Sequence, residues 1–266
     1  MGEGRCAVCG SRMRRTHSHE ILGRYTGQFI RCNDCGYWTV LDPFWLEEAY
    51  EDAIASTDTG IMQRNLQVAR VLGGIIEAVA PSGPYVDWAG GLGILTRLMR
   101  DRGYDYYWHD AYARNELARG FEWYTQSEAA TLVTAIEVLE HVTSPLDFIH
   151  EIRAATQTPI ITFSQETYDH ETTPEWWYFS YETGQHVSFY TLQTLQTIAA
   201  RSGMHYLNAG GLHLWSVRPL VVTVPRVRRL RNRVSARLDP PSARRSLTWE
   251  DHETMTWRLN SGGQAL

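Results

Sequence analysis

The sequence predicts an α/β protein: a seven-stranded, mostly parallel sheet with helices on both faces, joined to a small N-terminal module held by metal. Three observations predict it. Strand-like apolar runs alternate with helical stretches across residues 81–220, the pattern of a parallel sheet. The first run ends at Asp87, a glycine-rich turn (Ala89-Gly90-Gly91-Leu92-Gly93) follows, and Ile94 to Arg100 reads as a helix. That geometry lets backbone approach a bound ligand closely. Two Cys-x-x-Cys-Gly knuckles, at Cys6–Cys9 and Cys32–Cys35, contain every cysteine of the chain.

Each knuckle can present two thiolates to one ion, and the glycine after it lets the backbone curl round the metal. Four thiolates close a coordination shell, so Cys6, Cys9, Cys32 and Cys35 are expected to hold a structural Zn2+. Gln28–Arg31 and Tyr37–Leu41 read as short strands of a zinc ribbon over residues 1–45. A disulfide pair or a redox motif is the competing reading, disfavoured in a reducing cytosol. Residues 46–80 read as linker and helix: a short helix at Leu46–Tyr50, polar Ser56–Gly60, then Met62–Val79 with Leu66, Ala69, Leu72, Ile76 and Val79 at helical spacing.

Within residues 81–220 further strands are expected at Tyr104–His109, Phe121–Thr125, Thr131–Ile136, Pro159–Ser164, His205–Asn208 and Leu212–Val217, the last two pairing antiparallel. Helices should cover Leu146–Ala155 and Thr191–Gly203. Residues 221–266 form an Arg-rich tail, with a basic run from Arg226 to Arg237 and a closing helix at Thr248–Leu259 that folds over the active site.

Bulk numbers bound the function. At 266 residues and 43% hydrophobic, the chain can bury one substantial core plus a small module. A net charge of −5 argues against a broad phosphate-binding surface and so disfavours nucleic acid as partner. Lysine is absent and every cation is arginine, which reads as composition bias rather than function. No apolar run approaches the roughly 18 residues of a membrane span, and no signal-peptide core is present, so a cytoplasmic protein without a membrane partner is expected.

Ligand chemistry follows from the residues at the strand ends. Asp110 lies at the end of the second strand, about 20 residues beyond the glycines, where a carboxylate can take a ribose diol. The dinucleotide fingerprint wants a third glycine where Thr96 stands, which disfavours a nicotinamide oxidoreductase. The acid-led loop Asp87-x-Ala89-x-Gly91-x-Gly93 instead resembles the Asp/Glu-x-Gly-x-Gly-x-Gly motif of class I S-adenosylmethionine-dependent methyltransferases, with Ala89 in place of the first glycine. The resemblance implies a Rossmann-like fold. It also implies S-adenosylmethionine as cofactor, contacted by Asp87, Ala89, Gly90, Gly91, Gly93, Asp110, Ala111 and Glu137.

A second constellation, Glu137-Val138-Leu139-Glu140-His141, follows the fourth strand, and His186 sits on a loop at the same sheet edge. In a helical turn Glu137 faces Glu140 at i+3 and His141 at i+4. Two carboxylates and two imidazoles suit Mg2+, Mn2+ or Zn2+ with positions left for substrate. The pattern is similar to two groups. Small-RNA 3′-end 2′-O-methyltransferases carry Glu-x-x-Glu-His and a later His before a helix. Ubiquinone-biosynthesis O-methyltransferases carry Glu-x-x-Glu-His-Val-x-x-Pro, and Pro145 keeps that register. By this resemblance Glu137, Glu140, His141 and His186 would ligate a second divalent ion. Two other roles stay open for the imidazoles, general base and structural hydrogen-bonder. The candidate catalytic set is His141, His186 and Glu137.

Trp176, Trp177 and Tyr178, in the long connection after the fifth strand, form an aromatic platform suited to sugars, flat natural products or unstacked bases, or packed against the ribbon. The expected activity is O-methylation of a small-molecule hydroxyl on a sugar, glycoside or natural-product diol. An RNA 2′-O-methyltransferase, a sugar C-methyltransferase (a ribbon before such a domain resembles those of antibiotic pathways) and a non-catalytic zinc-ribbon interaction protein are the alternatives.

Overall fold

The computed structural model describes residues 4–50, 58–124, 128–222 and 244–260. The basic run Arg226–Arg237 lies outside them. The chain begins with β1 (Met13–Ile21), β2 (Tyr25–Cys32) and β3 (Trp38–Leu41), then α1 (Leu46–Ala49) and α2 (Ile61–Val79). The alternating part follows as β4 (Tyr85–Trp88), α3 (Ile94–Asp101), β5 (Tyr106–His109), β6 (Leu132–Ala135), α4 (Pro145–Thr156) and β7 (Ile160–Phe163). After a long connection come β8 (Ser188–Phe189), α5 (Leu192–Arg201), β9 (His205–Ala209), β10 (Leu212–Ser216) and α6 (Thr248–Asn260).

The main sheet runs β5-β4-β6-β7-β10-β9. Its first four strands are parallel, while β10 pairs antiparallel with both β7 and β9. This is the expected α/β class. The strand count differs, because the segment expected as a third strand at Phe121–Thr125 contributes only one parallel bridge, Glu122 to Trp108. Its Glu122 carboxylate turns back to accept from Asn115 Nδ2 and the Gly120 N–H, curling the segment into a turn. Six full strands therefore make the sheet among the described residues.

Strand alternation divides the core. Tyr85, Tyr106, Leu132, Ile160 and Leu214 pack against Leu72, Ile76, Leu95 and Met99 of α2 and α3. Val86, Val133, Ile161, Phe163 and Trp215 pack against Ile149, Ile152, Leu195 and Ile198 of α4 and α5. Full burial of each such side chain contributes roughly 1.5–3 kcal/mol.

A second sheet, β1-β2-β3-β8, holds the cysteines. Its strand β1 is absent from the sequence reading because MRRTHSHEI buries only its two ends and shows no alternation. Its fourth strand, β8, comes from far along the chain, so the 1–45 segment is completed by the sheet domain. Phe29, Trp38 and Val40 share one aromatic core with Tyr168, Tyr178, Phe179 and Phe189.

Helix α6 is present, but it does not close over the acid–imidazole cluster. Its buried Asp251 accepts from Arg97 and Arg100 of α3, and Arg258 donates to the Gly120 carbonyl, which fixes α6 along the β5 edge. No helix among the described residues is long and apolar enough to cross a membrane.

Candidate active site

The glycine turn leaves β4 with Ala89 at φ 57°, a left-handed conformation that costs an alanine about 1 kcal/mol where glycine is free. Gly90 has no room for a side chain: a Cβ there would lie 2.7 Å from the Trp108 ring and 2.9 Å from Asp87 Oδ2. Gly91, at φ 53°, faces open space, with no heavy atom within 4 Å of a Cβ built on it. A bare backbone under open space is what a ligand lying over this turn requires. Gly93 starts α3 at φ 84° and abuts Asn115 and Ala118.

Two carboxylates organise this turn from opposite sides. Asp87 lies beneath it, 3% exposed, accepting from Thr134 Oγ1 at 2.9 Å and Thr96 Oγ1 at 3.3 Å. Burial pushes its carboxyl up to about 7, with the two hydroxyls pulling back. Thr96, where a dinucleotide fold has glycine, thus braces the acid. Asp110 is half-buried above the turn and accepts from Gly91 N–H at 2.9 Å and from the Tyr112 and Ala113 N–H groups, both at 2.8 Å. A carboxylate has about four acceptor positions, so one remains for a ribose hydroxyl. Ala111 is exposed in the same bend.

The strand ends bring the second constellation to the same edge, but not in the expected turn. Only Leu139–His141 forms a 3-10 turn, and Glu137 sits outside it at φ 56°. Glu137 accepts from Ser164 Oγ at 2.7 Å, its N–H donates to the same Oγ at 2.7 Å, and Arg64 of α2 lies 3.4 Å from its other oxygen. Glu137 is therefore absent from the group that converges. One ligand atom from each of Glu140, His141 and His186 lies within 4.8 Å of the others.

The imidazoles are fixed by their second nitrogens. His141 Nδ1 is 3.1 Å from the Gln185 carbonyl, and His186 Nδ1 is 2.7 Å from the Tyr178 carbonyl. Carbonyls only accept, so each Nδ1 carries a proton and Nε2 is the ring atom left to ligate a metal; at His141, which burial keeps neutral, that Nε2 has its lone pair. Burial, with His186 as the next cause, pushes His141 down to about 3. Burial raises the Glu140 carboxyl, with His186 opposing. Glu140 is 1% exposed; the nearby Tyr178 hydroxyl pulls its carboxyl back down, while its Oε2 makes no hydrogen bond. A buried carboxylate oxygen without a hydrogen bond, in a residue whose ligand atom lies within 4.8 Å of one from each imidazole, suits a cation.

The four cysteines also converge. Their Sγ atoms lie within 4.8 Å of one another, with Cys6–Cys35 at 3.6 Å and Cys9–Cys32 at 3.4 Å. These separations exceed an S–S bond of about 2.05 Å and suit tetrahedral zinc, whose Zn–S bonds of about 2.3 Å space the sulfurs at about 3.8 Å.

A methyltransferase-domain family matches residues 62–208, more than half of the chain. The chain belongs to this methyltransferase family. The match runs from the start of α2 into β9 and contains the glycine turn, Asp110 and the acid–imidazole cluster. Among curated proteins, no sequence matches significantly. Several solved structures are similar in fold. TnmH is 15% identical, with 66% of this chain and 62% of that chain covered and a TM-score of 0.45. The magnesium protoporphyrin IX methyltransferase of Synechocystis PCC 6803, solved with bound S-adenosylhomocysteine, is 13% identical over 65% of this chain and 91% of that one, TM-score 0.41. The methyltransferase domain of bacterial CtHen1-C is 13% identical over 58% and 99%, TM-score 0.41.

The aromatic platform of the methyltransferase is split. Trp176 and Trp177 line an open cleft of about 380 Å³ with His19, Glu175 and Tyr181 on the ribbon side. Tyr178 is buried and holds His186 through its carbonyl. Three residues near the site escaped the sequence reading: Ser164, Arg64 and Gln185. Ser164 directly follows β7 at the same sheet edge, a position that marks it; Arg64 and Gln185 carry no such signal.

Proposed function

We propose that this methyltransferase moves a methyl group from S-adenosylmethionine to a hydroxyl of a small-molecule acceptor, a sugar, glycoside or other natural-product diol, at the sheet edge that carries the glycine turn and the Glu140–His141–His186 cluster. The observation that carries the reading is the state of that cluster: two imidazoles anchored through Nδ1 and a buried carboxylate oxygen that makes no hydrogen bond, with one ligand atom of each residue within 4.8 Å of the others. Two imidazoles and one carboxylate leave several positions of an octahedral ion open. When bound, S-adenosylmethionine supplies a methyl already activated on a sulfonium, and a divalent ion supplies polarisation of adjacent hydroxyl oxygens.

The chain's own task is alignment. Asp110 offers its remaining acceptor position to a ribose hydroxyl, and Gly91 leaves space for the donor. In this reading the acceptor hydroxyl lies against the imidazole pair, which orients it, and its proton passes to water. Oxygen–carbon bond formation accompanies carbon–sulfur cleavage, leaving a neutral thioether. Glu137, tied to Ser164 and Arg64, stays out of the converging group. The acidic balance of the chain suits a small acceptor better than RNA. In this reading the four thiols hold a structural zinc that keeps the ribbon folded.

Metal analysis and a chelation series test both ions. About one tightly held zinc per chain is expected. With vicinal diols as acceptors, chelator should abolish formation of S-adenosylhomocysteine, and Mg2+ or Mn2+ should restore it while zinc stays bound. Full turnover in chelator would leave the imidazoles as bases and remove the second ion.

A further inference from the structure

The ribbon reaches the segments beside the acid–imidazole cluster through the hydroxyls of Tyr37 and Thr39. Tyr37 follows the second knuckle directly, and its carbonyl accepts the Cys32 N–H at 2.8 Å. The side chain is 0% exposed. Its hydroxyl stands 2.6 Å from Ser188 Oγ and 3.3 Å from the Thr143 carbonyl. Ser188 Oγ donates to the Val142 carbonyl at 2.6 Å, so it accepts from Tyr37.

Val142 and Thr143 directly follow His141, and Ser188 lies two residues after His186. Ser188 Oγ thus ties the two segments that carry the two imidazoles, and the single Tyr37 proton, donated to Ser188, braces that tie, with the Thr143 carbonyl a longer contact at 3.3 Å. Its neighbours pull the same way. Val187 N–H donates to the Glu140 carbonyl at 2.9 Å, while Thr39 Oγ1 and Val40 N–H donate to the Val187 carbonyl at 2.8 and 3.0 Å. Packing alone does not call for the hydroxyl, since phenylalanine would fill the same space.

We infer that Tyr37 is a positioning residue: by fixing Ser188 on the Val142 carbonyl, its hydroxyl holds the His141 and His186 segments at the separation that brings a ligand atom of each together with one of Glu140. The knuckle thereby sets the geometry of the reacting centre. The inference rests on the functional reading of that cluster, but its first test does not.

Hydrogen–deuterium exchange of the full chain compares wild type, Tyr37→Phe and Ser188→Ala. Exchange in the peptide covering residues 185–190 should quicken roughly 2- to 10-fold in each variant, with the glycine-turn peptide unchanged. The double variant should go little further than either single, as expected for groups in one network. Mn2+ affinity, measured with the ion alone, should fall about 10- to 100-fold, while S-adenosylmethionine affinity holds. Unchanged exchange at 185–190 in both variants overturns the inference, as does uniform quickening that includes the glycine turn. A wild type that binds no Mn2+ removes the metal reading instead, and the exchange result still decides the role of Tyr37.

Discussion

Replacing His141 with alanine is expected to lower kcat by about 10²- to 10⁴-fold while leaving the affinity for S-adenosylmethionine within about twofold of wild type. The split follows from where the residue lies. His141 belongs to the converging group with Glu140 and His186, whereas the cofactor turn is held by Asp87, Thr96 and Asp110. Depression of its pKa to about 3 keeps the ring neutral across the physiological range. A base that weak sits some four pH steps below neutrality, where general-base catalysis is inefficient; the same neutrality suits a metal ligand. Steady-state kinetics with the best diol acceptor, together with donor affinity by calorimetry, reads the split. An equal rise in donor dissociation constant and loss of kcat would place His141 in the cofactor site instead.

Asp251→Ala carries the largest expected cost in stability, about 3–5 kcal/mol. Arg100 is only 5% exposed, and its guanidinium meets Asp251 through Nε and Nη2 at 2.9 and 2.7 Å, with Arg97 adding a third bond at 2.7 Å. Removing the carboxylate leaves the Nε and Nη2 edge of this buried cation unpaired, with only Asp105 Oδ1 at 3.1 Å and the Tyr106 carbonyl at 2.9 Å on Nη1. Arg100 also lies 3.8 Å over the Phe121 ring, so its loss would loosen the turn that faces Gly93. A change of Arg100→Met together with Asp251→Ala should cost less than the sum of the two single changes. The pH dependence has a definite sign. Burial alone would raise the Asp251 carboxyl, but Arg100 and Arg97 more than offset it and hold it below the usual range. Its contribution is therefore complete above the unfolded value near 4 and is lost as pH falls through the lower folded value. The gap in thermal midpoint between wild type and Asp251→Ala should accordingly close in acid. A gap that stays constant down to about pH 2 would contradict the pair's role.

Particular residues show how far sequence carried this structure. β4, the glycine turn and α3 were legible because a buried strand, a turn and an amphipathic helix each impose a local pattern. So were both knuckles, because the Cys-x-x-Cys-Gly spacing stands in the residues themselves. Glu137 was misplaced for a physical reason. Its grouping with Glu140 and His141 assumed helical periodicity, whereas a left-handed residue breaks the turn and Ser164, distant in sequence, captures the carboxylate. Asp87 was read as facing the ligand, yet Thr134 from a neighbouring strand holds it beneath the turn. β1 and β8 were missed because one is polar along its length and the other has two residues, paired only by tertiary context. Tyr37 looks like any strand tyrosine until β8 arrives beside it.

Titration calorimetry of the intact chain with S-adenosylmethionine tests the central assignment most directly. One saturable site is expected in the wild type, weakened about 10- to 100-fold by Asp110→Ala, which removes a charged acceptor from the ribose and from the Gly91 amide. A wild type that evolves no heat and binds no donor would contradict the account.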